Sequence, residues 1–207
     1  MNLFFLLKHG GKTMVNKRFY LGILVMTLVF GMTVLGNLEA QTGNSQETLY
    51  SIGDIGPAKG LIFYDKGVFS NGWRYLEAAP LETEFKVQWG GYKQDISGTS
   101  PMVGRGKQNT EIIIERLILL GDLGKAAQLC ANLKFEGFSD WFLPSKEELV
   151  LMQKILKRNN LGDFSNNMYW SSTQFSKDQA YYINFRSGKD DMSHKDQVRS
   201  VRAIRAF

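Results

Sequence analysis

The chain has 207 residues, 43% of them hydrophobic and 13% aromatic, with 21 glycines, one cysteine and a formal charge of +5. Length and composition fit one cored domain plus extras, and the glycine and aromatic content favours loops and aromatic anchoring over a helical bundle. One cysteine excludes an internal disulfide, so the fold must rest on its core.

Residues 14–40 read as an export signal. Lys17 and Arg18 precede an uncharged run from Phe19 to Gly36, and Leu38-Glu39-Ala40 is an imperfect small-residue cleavage site. A retained membrane anchor is the alternative, because the run nearly spans a bilayer. Residues 1–13 precede a second start at Met14 and read as a mis-called extension. Leaving out residues 1–40 removes Lys8, Lys12, Lys17, Arg18 and Glu39. Then 25 less 4 basic and 20 less 1 acidic residues remain, a net charge of +2. The positive balance therefore belongs partly to the leader and excludes a nucleic-acid partner as its explanation.

Residues 41–50 are a polar linker, and residues 51–207 form the domain. Leu61-Ile62-Phe63-Tyr64 is a strand ended by Asp65-Lys66-Gly67, and Trp73–Ala78 a second, giving a hairpin with a longish loop. A short strand is expected around Trp89. Gly104-x-Gly106-Lys107 hints at a phosphate loop, but lacks its first glycine and a following Ser or Thr. Asn109 reads as the N-cap of a helix through Leu120. Gly121 and Gly124 break it, and residues 125–133 restart as a second helix bearing Cys130 on a core face.

The organising stretch is 137–149. Pro144 sits just before a helix, Ser145 is its N-cap, and Glu148 completes a capping box. Leu149, Met152, Ile155 and Leu156 follow at helical spacing. Beyond it, Tyr169–Ser172 and Tyr181–Arg186 read as strands, 187–197 as a charged hairpin connection, and 198–207 as the last strand.

Asp140-Trp141-Phe142-Leu143-Pro144-Ser145 with Glu148-Leu149 resembles the Trp-x-Leu-Pro-[Ser/Thr]-x-x-Glu-Leu signature of the Lcl C-terminal-like domains of bacterial surface proteins. Tyr169-Trp170-Ser171-Ser172, the strand ending at Gly188, and Val201-Arg202-Ala203-Ile204-Arg205 are similar to later family markers, in order. The opening Gly56-Pro57-Ala58-x-Gly60 resembles that of family members as well. The resemblance covers about residues 51–207. It implies an α+β, C-type-lectin-like domain of short antiparallel strands, two or three helices and long loops. That superfold also hosts formylglycine-generating enzymes, whose copper-holding cysteines one cysteine does not supply.

Catalysis has little to work with. Past the leader, His194 is the only histidine and lies in a charged loop. Zinc lacks ligands, and calcium would have Asp190 and Asp191 without EF-hand spacing. We therefore expect no metal, no cofactor and no enzyme. Asp140, Glu147 and Glu148 read as turn and helix-start residues, with an envelope enzyme using carboxylates as the alternative.

Binding is the better reading. Lys189, Lys195 and Arg199 read as loop cations, freer than the others to meet a ligand. Arg202 and Arg205 either bind too or pair with carboxylates such as Asp140 to lock the fold. Trp141 and Trp170, with Trp73 and Trp89, either pack in the core or stack on sugar rings. The expected partner, in the manner the resemblance implies, is a glycan, a sulfated polysaccharide or a host-matrix protein, met outside the cytoplasm in the periplasm, at the cell surface or after secretion. Membrane contact is expected only through an uncleaved leader. Self-assembly into a homo-oligomer or structural envelope protein is the remaining alternative.

Overall fold

The computed structural model describes residues 48–207; the leader, its cleavage site and most of the linker lie outside them. Their architecture is mixed α+β. Strands β1 (Leu61–Ser70), β2 (Trp73–Ala78) and β3 (Phe85–Gln88) come first. Helices α1 (Gly106–Leu119), α2 (Ala126–Asn132) and α3 (Lys146–Ile155) follow. Strands β4 (Met168–Gln174), β5 (Gln179–Asn184), β6 (Asp190–His194), β7 (Val198–Val201) and β8 (Ile204–Ala206) complete the chain. They form a three-stranded sheet, β1-β2-β8, and a five-stranded sheet, β3-β7-β4-β5-β6. All strand pairs are antiparallel except β4 with β7.

The central strand β4 buries both faces. Trp170 enters a core with Trp89, Ile113, Leu117, Cys130 and Trp141. Tyr169, one residue earlier, points into a second core with Phe63, Leu149, Met152, Phe185 and Ile204, as strand alternation requires. Burial pushes the Cys130 thiol pKa up, which suits a packed rather than a reactive thiol.

Helix α3 begins as its sequence dictates. Ser145 Oγ accepts from Glu148 N, and Glu148 Oε2 accepts from Ser145 N at 2.7 Å. The Glu148 carboxylate is fully buried and reaches beyond its own helix, taking Gly104 N on Oε1 at 2.7 Å. Burial raises its pKa, and the backbone N–H groups of Ser145, Gly104 and Gly106 oppose that rise. A Cβ on Gly106 would lie 2.3 Å from Glu148 Oε2, so only glycine fits there.

A second buried carboxylate works the same way. Glu77 Oε1 accepts from Ala58 N and Gly60 N, at 3.0 and 2.8 Å. This gives the Gly-Pro-Ala-x-Gly opening its physical meaning: a glycine loop cradles a carboxylate from β2.

Four expectations are corrected. The first hairpin has no long loop: β1 runs on through Asp65-Lys66-Gly67 to Ser70 and turns at Asn71-Gly72, both with positive φ. Helix α1 starts at Gly106, and Asn109 lies inside it, bonded to Ser100 and Ser172 rather than capping. The charged connection 187–197 contains an edge strand, β6, paired along its length to β5. The last strand is two: β7 belongs to the five-stranded sheet and β8 to the other, with Arg202 and Ala203 at the crossing.

Candidate functional site

The residues singled out for binding are mostly not free to bind. Trp141 and Trp170 are buried in the first core, and Trp170 Nε1 donates to Val87 O. Arg202 is buried at the sheet crossing, its guanidinium on Glu84 Oε2 at 2.7 Å and on the Ala79 and Gly162 carbonyls. Tyr169 OH donates to the same Glu84 oxygen. Arg205 is buried too. It pairs with Glu77 Oε2 at 3.1 Å and holds Asp140 with Nε and Nη2. Both arginines therefore lock the fold, and the two tryptophans pack it.

Lys195 is a further correction. Instead of a solvated loop cation, it is a fully buried ammonium that donates to Gln94 O and Gln174 Oε1 and lies 4.8 Å from the centre of the Trp89 ring. Burial lowers its pKa to about 8, against a partial upward pull from Asp95 and Asp178. In the unfolded chain the ammonium keeps its proton to its ordinary value of 10.5. Between those values the unfolded state binds more protons, so stability from this group rises with pH. Thermal denaturation between pH 7.5 and 9.5 should show a gain on the order of 1–2 kcal/mol that Lys195→Met lacks. Parallel curves for the two proteins would refute it.

Arg199 is half-buried, stacked on Tyr182 and Trp170, with Nη2 on Ser193 Oγ. Burial lowers its pKa. Lys189 alone of the seven stands exposed, in the β5–β6 turn. His194 is exposed on β6 and stacks on Tyr92.

A cleft of about 620 Å³ opens elsewhere, between the tip of the β1–β2 hairpin and the start of α1. Its platform is Trp73, half-buried on β2. Gly104, with φ +85°, comes so close to the indole that a Cβ there would lie 3.1 Å from it. Lys66 places its ammonium 3.9 Å from the ring centre and donates to Ser70 O at 2.6 Å. Arg105 and Lys107 are exposed in its lining with Gln108 and Glu111, and Arg105 Nη1 donates to Gln108 Oε1 at 2.7 Å. Among the described residues, Lys66, Arg105 and Lys107 have no carboxylate within 4.0 Å. Three unneutralised cations around a partly exposed indole can hold an anionic, ring-bearing ligand. No three His, Cys, Asp or Glu side chains converge on a metal-sized site among the described residues.

Sequence reasoning missed this cleft. Trp73 was visible only as one tryptophan among four. The glycines of Gly104-x-Gly106-Lys107 serve close packing: Gly104 admits the indole and Gly106 admits Glu148.

A search of curated proteins gives no match. Among solved structures, the fold is similar to the crystal structure of a fimbrial protein from Bacteroides ovatus ATCC 8483, with a TM-score of 0.54 and 13% identity. The match covers 80% of this chain but 46% of that one, so the likeness extends over less than half of the fimbrial protein. No helix among the described residues is long and apolar enough to cross a membrane. The model of the Lcl C-terminal domain matches residues 78–205, from the end of β2 to β8, taking in the capped helix and the Val-Arg-x-Ile-Arg close. By that match the chain belongs to the Lcl C-terminal domain family.

Proposed function

We propose that this is an exported, non-catalytic, adhesin-like binding domain of the bacterial surface, and that it takes glycans or host-matrix polyanions in the Trp73 cleft. Family membership and the fimbrial-protein fold both fit a surface protein. The carrying observation is the cleft itself, where Lys66, Arg105 and Lys107 lack carboxylate partners around a half-exposed indole. Two of the carboxylates weighed for an enzyme are engaged in structure, Glu148 on backbone amides and Asp140 on Arg205. The C-type-lectin-like superfold is part of the proposal. Its support is that the first hairpin and the last strand share one sheet.

Glycan-array binding by the 41–207 domain tests the reading. Binding should weaken with salt, since exposed cations are screened. Trp73→Ala should reduce it at least about tenfold, as expected when an aromatic anchor in a pocket is truncated. No binder on the array at low salt would overturn the proposal.

A further inference from the structure

We infer that the ligand of the Trp73 cleft is a short glycan bearing one acidic ring, rather than a long polyanion; this rests on the binding reading above and narrows it. A long polyanion needs a row of accessible cations. The C-terminal cations do not extend such a row at the cleft: Lys195, Arg202 and Arg205 are buried, Arg199 is half-buried across two aromatic rings, and the exposed Arg186 and Lys189 lie outside its lining. The accessible positive charge of the cleft ends with Lys66, Arg105 and Lys107.

The same cleft carries an acid of its own. Glu111 is exposed on its wall and has no cation within 4.0 Å among the described residues. It accepts hydroxyl hydrogen bonds from a sugar and repels a second acidic group. Glu148, at the base, has both oxygens on backbone N–H groups. The local balance is thus three cations without a carboxylate partner against one carboxylate without a cation partner, suited to one acidic substituent.

The lysine over the indole supplies the rest. Lys66 covers the Trp73 ring through a cation–π contact and one carbonyl. A pyranose stacking its C–H face on the indole pushes this ammonium aside while keeping it near the ring, where it meets the ring's carboxylate or sulfate. Neutral sugars displace the ammonium without replacing its partner, and simple anions gain no stacking. At about 620 Å³ the cleft has room for a few sugar units.

Calorimetric titration of the 41–207 domain with methyl glucuronide, methyl glucoside, sodium acetate and dextran sulfate tests this. The glucuronide should bind at least tenfold more tightly than the glucoside or acetate. Trp73→Ala should lose at least tenfold, and the exposed Lys107→Gln, which leaves the core untouched, three- to tenfold. Equal binding of glucoside and glucuronide would overturn the acidic-ring inference. Dextran sulfate binding that survives Trp73→Ala would overturn it as well, while leaving a polyanion-binding domain standing. Failure of every sugar and polyanion to bind would remove both readings.

Discussion

Gly60→Ala is expected to cost at least about 3 kcal/mol and to yield little folded protein, because the added methyl has nowhere to go. Its Cβ would lie 2.1 Å from Ala78 O and 2.9 Å from Glu77 Cγ. The Ala78 carbonyl belongs to β2, which pairs with β1 on one side and β8 on the other. Relief would therefore require moving the middle strand of a sheet. The same loop supplies Gly60 N to Glu77 Oε1, so displacement also removes a hydrogen bond from a buried carboxylate. Gly67→Ala is the control. Gly67 has φ +86° but nothing within 4 Å of an added Cβ, so only conformational strain of about 1 kcal/mol is expected. Urea denaturation of both variants checks the contrast; equal losses would refute the steric account.

Arg205→Met is expected to destabilise by about 3–5 kcal/mol, the range for breaking a buried ion pair on one side. The guanidinium lies between Glu77, which is fully buried, and Asp140, and packs on Phe138 and Phe207 at 4.0 and 4.8 Å. Removing it leaves Glu77 with two backbone amides and no counter-charge. Burial already raises the Glu77 pKa, with Arg205 among the groups that oppose the rise. Without the arginine the folded-state value climbs further. A carboxyl with a raised folded pKa loses stability as pH rises through it, so the variant's deficit should be largest at neutral pH and shrink on acidification. Glu77→Gln in the Arg205→Met background should recover part of the loss at pH 7. Denaturation curves at pH 4.5 and 7 test both points, and a deficit that grows in acid would contradict the account.

Local chemistry was legible from the chain; tertiary assembly was not. The α3 start was readable because Ser145 and Glu148 satisfy each other within one turn. Asn109 sends the same kind of signal, yet its amide serves Ser100 and Ser172, partners that only the folded chain brings close. The strand β6 was hidden by its charges. Asp190 and Asp191 face solvent at a sheet edge, where polar residues are at home, while Ser193 is buried. The break between β7 and β8 left no mark, since arginines at every third position among small and apolar residues, Arg199, Arg202 and Arg205, suit one strand or two. The cleft drew its walls from residues near 66–73, 103–111, 142 and 148, a combination no spacing rule collects.

The entry and exit of the described body meet at a cluster of rings. Tyr50 touches Tyr75 and Phe207 edge-on, with centroids 5.4 and 5.6 Å away, and Tyr50 N donates to Tyr75 OH. Because Tyr50 and Phe207 lie side by side, the body between them can be handled as a cassette. It can be spliced into a loop of an unrelated host with only a short joint on each side, and pulling on both joints loads the aromatic clasp before the sheets behind it.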